Sequence, residues 1–207
     1  WRRLEESTIS VLVRIHSILD DDDTAFLRPG ASGDTALARQ LAAQREYYEW
    51  ARDGRTVPIL ERAHQLLLAT LPTNERSVLN WGDSRPGNII YRDFEPAAVL
   101  DWEMATLGPP EVDLAWVVFF QRFFDSMARQ WGLPPVPAMF ERNEAVASYE
   151  RLSGSSRILT DSERRFTYYS LGFGWNFLPG EVFLGSGRAM PTAGCWRPAL
   201  TTGQRES

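Results

Sequence analysis

The sequence predicts an α+β protein that is mainly helical, with a small β patch in its middle third carrying polar loops. Three observations support this. Apolar residues recur at helical spacing through the first third of the chain, as Leu12, Ile15 and Leu19 do, and then Leu37, Leu41 and Tyr48. The texture then changes to short apolar runs cut by Gly, Pro, Asp and Arg. After Pro109-Pro110 a strong helical pattern returns, with Val112, Trp116, Phe119, Phe120 and Phe123 in step.

Taken in order, a first helix is expected over residues 5–19, with Leu4, Leu12, Ile15, His16 and Leu19 roughly on one face. The acidic run Asp20 to Asp23 opens a loop containing Pro29, Gly30 and Gly33. It lacks the spaced ligands and glycine of a calcium loop, so it reads as solvated. Asp34 is positioned to cap a second helix reaching about Arg52, which Gly54 stops. Thr56 and Pro58 begin a third, which ends before Pro72. Val78-Leu79, Asn88-Ile89-Ile90-Tyr91 and Ala97-Ala98-Val99-Leu100 read as short strands flanking loops. Further helices are expected after Pro110, over about 138–152, and after Thr160-Asp161-Ser162-Glu163, a capping-box pattern. The chain thus divides into a helical region over residues 1–77, polar loops on short strands over 78–108, a second helical region over 109–175 and a turn-rich tail over 176–207.

Bulk properties narrow the function. The 207 residues are 43% hydrophobic and 24% charged, enough for a real core. A net charge of -5 with interspersed arginines and acids argues against nucleic acid as the main partner. Cys195 stands alone, which excludes an intrachain disulfide and a multi-cysteine zinc site, and makes a reducing, cytoplasmic setting the simplest expectation. The longest apolar block, Leu114 to Phe120, falls far short of the ~20 residues that span a bilayer, so no membrane role is expected. All 22 basic residues are arginine, with no lysine.

The chemistry concentrates in Asn80-Trp81-Gly82-Asp83-Ser84-Arg85-Pro86-Gly87-Asn88 and in Val99-Leu100-Asp101-Trp102-Glu103. Two polar loops, separated by a strand pair, each present a carboxylate. A carboxylate, an amide five residues on and a second carboxylate form an oxygen-donor set suited to magnesium, which accepts one or two carboxylates and completes its shell with water and phosphate. The order matches that of a kinase loop, in which the first carboxylate receives a hydroxyl proton while the amide and the second carboxylate hold the metal on the phosphate side. Gly87, inside the turn, is read as the residue that lets the backbone reverse between these two jobs.

Trp81-Gly82-Asp83 and Asn88, together with Asp101-Trp102-Glu103-Met104-Ala105-Thr106-Leu107-Gly108-Pro109-Pro110-Glu111-Val112-Asp113-Leu114-Ala115, resemble the paired signature of the aminoglycoside phosphotransferase and choline kinase-like family. The similarity is greatest to the branch associated with acyl-CoA dehydrogenases, and is strong over residues 78–120. The resemblance implies a protein-kinase-like C-terminal lobe. It also implies ATP as phosphoryl donor, Mg2+ as cofactor and a small-molecule hydroxyl as acceptor. Carried over residue by residue, it implies Asp83 as catalytic base, Asn88 and Asp101 as magnesium ligands, and Asp113 as a brace for the catalytic loop. Many members carry His where this chain has Trp81, so the aromatic is expected to keep the packing and lose a polar contact. The family also uses a β-rich N-terminal lobe with a lysine that reaches the nucleotide. With no lysine and a helix at its start, this chain is expected to begin after that lobe and to be inactive alone.

Plainer readings stand beside these. Asp83 could cap a turn, Asn88 could be an ordinary turn amide, and Asp101 could make strand-end hydrogen bonds. Glu103 could face the metal, but support of the metal shell or a helix cap is favoured. Arg85 could steer phosphate or pair with a nearby carboxylate. His16 reads as packing on an apolar face, His64 as a surface or helix-end residue, and Trp116, Phe119, Phe120 and Phe123 as core. Tyr47, Tyr48 and Trp50 could be core or could line an acceptor pocket. Asp83, Asn88 and Asp101 are expected on one open face, with Trp116 and Phe119 mostly buried beneath it. The alternative function is a catalytically silent pseudokinase or small-molecule-binding domain.

Overall fold

The computed structural model describes residues 1–154 except 20, 21, 29, 31, 73 and 74. The helix expected after Thr160, the tail 176–207 and Cys195 lie outside the described residues. The elements are helices α1 (Arg2–Ile15), α2 (Ala36–Ala51) and α3 (Pro58–Ala69), strands β1 (Val78–Asn80), β2 (Ile89–Arg92), β3 (Glu95–Val99) and β4 (Thr106–Gly108), then helices α4 (Glu111–Gln130) and α5 (Arg142–Ser153). Among the described residues no helix is long and apolar enough to cross a membrane.

The core lies between α1, α4 and α5, with the loop after β1 packed into it. Ile9, Leu12 and Ile15 from α1 meet Val112, Leu114 and Val117 from α4, Ala145 and Tyr149 from α5, and Trp81. A fully buried aliphatic side chain such as Leu12 stabilises by about 1.5–3 kcal/mol, so this cluster fixes the helices before any polar contact is counted. The four strands form two antiparallel pairs. β1 pairs with β4, with Val78 opposite Gly108 and Asn80 opposite Thr106. β2 pairs with β3, with Ile89 opposite Val99 and a bulge between Ile90 and Tyr91. The Tyr91 hydroxyl lies 2.8 Å from Thr8 Oγ1 on α1, and Ser7 Oγ donates to Phe94 O at the hairpin turn, so the hairpin is laid along α1.

Several boundaries differ from the sequence expectation for local reasons. α1 begins and ends earlier, because the chain turns at His16 and Leu19 bridges to Val78 beside β1. Thr35, not Asp34, caps α2; its hydroxyl accepts from Ala38 N at 3.1 Å. α5 starts at Arg142, after Phe140 takes a left-handed φ of 54° and donates its N–H to Glu5 Oε1 at 3.1 Å. The Glu141 side chain then caps the helix by accepting from Asn143 N. β4 has no counterpart in the sequence reading, since its three residues show no alternation. Phe119 is half-buried rather than buried, whereas Trp116 is buried as expected.

Glu75 Oε1 accepts from Leu37 N at 3.0 Å in the first turn of α2. Burial raises its carboxyl above the ordinary 4.5, outweighing the backbone N–H groups that lower it. A raised folded value means that protonation favours the folded state; the contribution is complete below 4.5 and lost as pH rises through the folded value. Glu75→Gln is therefore expected to raise the melting temperature at pH 7, the gain shrinking to nothing as pH falls below that range. Thermal melts of both proteins from about pH 3.5 to 7.5 check this.

Candidate functional site

Asp113 organises the site. It lies in the first turn of α4, where a carboxylate is favoured by the helix dipole, and it is fully buried. Its Oδ2 accepts from Trp81 N at 2.7 Å and its Oδ1 from Gly82 N at 2.8 Å, while Ser84 Oγ donates to its backbone oxygen at 2.7 Å. Three positions of the loop after β1 are thus tied to one residue. Between them Gly82 adopts a φ of 93°, and a Cβ there would overlap the Met104 backbone oxygen. Gly82, not Gly87, is therefore the glycine that this backbone requires. Gly87 has open space around it and no left-handed φ.

Held in this way, the loop presents Asp83, which is buried but for its edge. Trp116 Nε1 donates to Asp83 Oδ1 at 2.7 Å. Arg85 Nε and Asn88 Nδ2 donate to Oδ2 at 2.8 and 2.7 Å. A carboxylate has about four lone-pair positions, so these three donors leave one position on Oδ1. The Arg85 guanidinium also lies over the Phe120 ring, 5.7 Å from its centroid, so of its two readings the pairing with a carboxylate is the contact observed.

The second loop is bound to the first through its backbone. Leu100 N donates to Asn88 O at 2.8 Å, and Trp81 Nε1 donates to Leu100 O at 2.9 Å. Trp81 thus packs, as expected of an aromatic there, and also makes a polar contact of its own. Asp101 follows with a left-handed φ of 61°, a conformation that Asp tolerates better than most residues. It is exposed, and Asn88 Nδ2 reaches its Oδ2 at 3.5 Å. Asp83, Asn88 and Asp101 thus meet around one amide.

The donor chemistry fits a hard divalent cation. Asn88 and the exposed Asp101 each carry a side-chain oxygen donor, and the two side chains touch, with the Asn88 amide nitrogen 3.5 Å from Asp101 Oδ2. Among the described residues there is no grouping of three or more His, Cys, Asp or Glu able to hold a metal by itself. Any such ion would therefore depend on water and substrate oxygens, as magnesium in phosphate sites does. Glu103 is exposed in a turn and caps no helix.

Two residues assigned to packing carry polar contacts as well. Trp116 fills the core and also donates to Asp83. His16 is buried between Asp113 and Tyr149, at 3.0 and 2.9 Å from its two ring nitrogens. The only sequence signal for His16 is its being a polar side chain on an apolar face; for Trp116 there is none.

This mainly helical fold, with small antiparallel sheets carrying the polar loops, is that of a protein-kinase-like C-terminal lobe. The chain belongs to the phosphotransferase enzyme family designated APH, whose family model matches residues 2–154. It is 39% identical over 108 residues to acyl-CoA dehydrogenase family member 10 of Mus musculus, covering 51% of this chain and 10% of that protein. It is 29% identical over 158 residues to acyl-CoA dehydrogenase family member 11 of Homo sapiens, covering 74% and 20% respectively. The chain therefore spans a tenth to a fifth of the length of these relatives. Among solved structures, macrolide 2'-phosphotransferase from Brachybacterium faecium shares the fold with a TM-score of 0.54 at 22% identity, covering 87% of this chain and 53% of that one.

Gly82→Ala should destabilise the protein by about 3 kcal/mol, combining backbone strain with overlap at Met104. Gly87→Ala should lie within about 0.5 kcal/mol of the unaltered chain, since nothing crowds that position. Urea unfolding of both variants separates the two glycines.

Proposed function

We propose that this chain supplies the catalytic and metal-holding side of a phosphotransferase that moves the γ-phosphoryl group of ATP, with Mg2+, to a hydroxyl of a small molecule. One observation carries the reading: Asp83, Asn88 and Asp101 converge around the Asn88 amide, 2.7 Å from the first carboxylate and 3.5 Å from the second.

In this reading Asp83 is the base. Trp116, Arg85 and Asn88 fix its carboxylate, and the remaining lone pair on Oδ1 orients the acceptor hydroxyl and takes its proton as the oxygen bonds to phosphorus. Asn88 and Asp101 hold the cation, which when bound neutralises charge on the phosphate oxygens. Arg85, with its guanidinium between Asp83 and Phe120, adds positive charge beside the acceptor oxygen. Positioning and charge stabilisation do the work, as phosphoryl transfer requires. Glu103, exposed two residues beyond Asp101, can bind the outer water shell of the cation. The acceptor is a small hydroxyl compound; the macrolide enzyme that shares the fold makes macrolides reasonable first probes. A cytoplasmic setting belongs to the same reading.

A second reading, a silent pseudokinase or small-molecule-binding domain, is favoured by Trp81, which stands where many family members carry His. Transfer of labelled γ-phosphate from ATP to a panel of hydroxyl compounds by the full-length protein distinguishes them. Asp83→Asn should lower turnover by ~10²–10⁴-fold with nucleotide binding nearly unchanged. Asp101→Ala should weaken turnover and magnesium-dependent nucleotide binding together, because it removes a metal ligand. Equal turnover by Asp83→Asn and the unaltered protein would remove Asp83 as the base, and no transfer by either would put the silent domain first.

A further inference from the structure

Asp83 is held from two sides. Trp116 Nε1 donates to its Oδ1 at 2.7 Å, and Arg85 Nε donates to its Oδ2 at 2.8 Å. The two donors address opposite oxygens, so turning the carboxylate about its Cβ–Cγ bond would spoil both hydrogen bonds at once. They also share a neighbour. The Phe120 ring lies one helical turn beyond Trp116 on α4 and meets the indole edge-on, with centroids 4.7 Å apart. The Arg85 guanidinium stands over the same ring, 5.7 Å from its centroid. Phe120 is 6% exposed and is backed by Phe119, Phe123 and Phe124, whose centroids lie 5.7, 6.0 and 5.3 Å away. The ring that both donors rest on therefore has little room to move.

We infer that Phe120 is a positioning residue: one buried ring seats the indole of Trp116 and the guanidinium of Arg85 together, and through them sets the orientation of the Asp83 carboxylate. Its side chain has no polar atom, so it acts only through the two donors. Arg85 is the less secured of these, with a side chain 34% exposed and many rotamers to lose. The face of the ring attracts its cation and restrains it where Nε meets Oδ2. A leucine at position 120 would keep α4 in the core, but it offers neither a π face to the guanidinium nor a ring to the indole. Asn88 would still donate to Oδ2, so the carboxylate would be loosened rather than released. Only the kinetic arm of the test below rests on the phosphotransfer reading.

The two donor N–H groups report on this directly. Solvent exchange of Trp116 Nε1–H and Arg85 Nε–H is followed by 15N–1H correlation in the unaltered chain, in Phe120→Leu and in Phe120→Tyr. A fourth sample carries pentafluorophenylalanine at position 120, which keeps the shape of the ring but reverses the charge of its face. Trp81 Nε1–H, which donates to Leu100 O, is the reference within each protein. Phe120→Leu should speed both donors about tenfold relative to Trp81, one ring contact being lost at each. Phe120→Tyr, which keeps the ring, should hold both within about threefold of the unaltered chain. The fluorinated ring should speed Arg85 about fivefold, because the cation then meets a repelling face. If the full-length protein transfers phosphate, kcat should fall about tenfold in Phe120→Leu and recover in Phe120→Tyr, with KM for nucleotide unchanged. Donor exchange that follows Trp81 in Phe120→Leu would overturn the inference. An Arg85 rate untouched by fluorination would overturn it equally, even if Phe120→Leu does not fold. Absence of phosphoryl transfer alongside selective donor exchange would instead remove the proposed activity and leave the positioning role in place.

Discussion

One buried carboxylate sets the geometry on which the rest of the site depends. Asp113 receives two consecutive backbone N–H groups from the loop after β1, and its own backbone oxygen receives Ser84 Oγ. A buried charge is costly unless hydrogen-bonded, and here that cost is offset by donors that must be placed where the loop needs them. The carboxylate is carried by α4, whose apolar face is locked into the core by Val112, Leu114 and Val117. The hydrophobic packing of one helix is thereby converted into the position of a polar loop far from it in sequence.

The two functional loops behave as one unit for a related reason. Leu100 N to Asn88 O and Trp81 Nε1 to Leu100 O link them with no acidic side chain involved. Charge can therefore change at Asp83 or Asp101 without loosening the joint between them. The strand pairs beneath are short, three to five residues, and two two-stranded sheets have little stability alone. They are held by α1, through Thr8 and Ser7 on the hairpin, and by the bridge from Leu19 to Val78.

Much of this arrangement is legible in the sequence where the relevant spacing is local. Asp83, Asn88 and Asp101 are brought together by a 3-10 turn at Pro86–Asn88 and one hairpin, and the polar runs that mark them are short and contiguous. α4 is equally plain, since Pro109-Pro110 and a dense aromatic period bracket its start. The roles of His16 and Trp116 are not legible. Their partners lie 97, 133 and 33 positions away, and an apolar period registers which face is buried but not which polar tip meets another. Sequence position favours Gly87 over Gly82 because Gly87 sits in the turn between Asp83 and Asn88. The need for glycine arises instead from the approach of Met104, which no local pattern announces. β4 escapes because three residues are too few to display a period.

Trp116 gives the α4 face two masters. Its ring packs edge-on against Phe120 with centroids 4.7 Å apart, while its nitrogen points to the Asp83 carboxylate. Phenylalanine would satisfy the first demand and tyrosine would place its polar atom elsewhere, so among the aromatic residues only indole serves both. Replacements along this helix should consequently be felt unevenly: core positions such as Val117 can exchange one apolar residue for another of like volume, whereas replacing Trp116 also removes a donor to Asp83. A helix that looks like an interchangeable hydrophobic stripe thus contains a letter whose spelling is dictated by the chemistry on the other side of the wall.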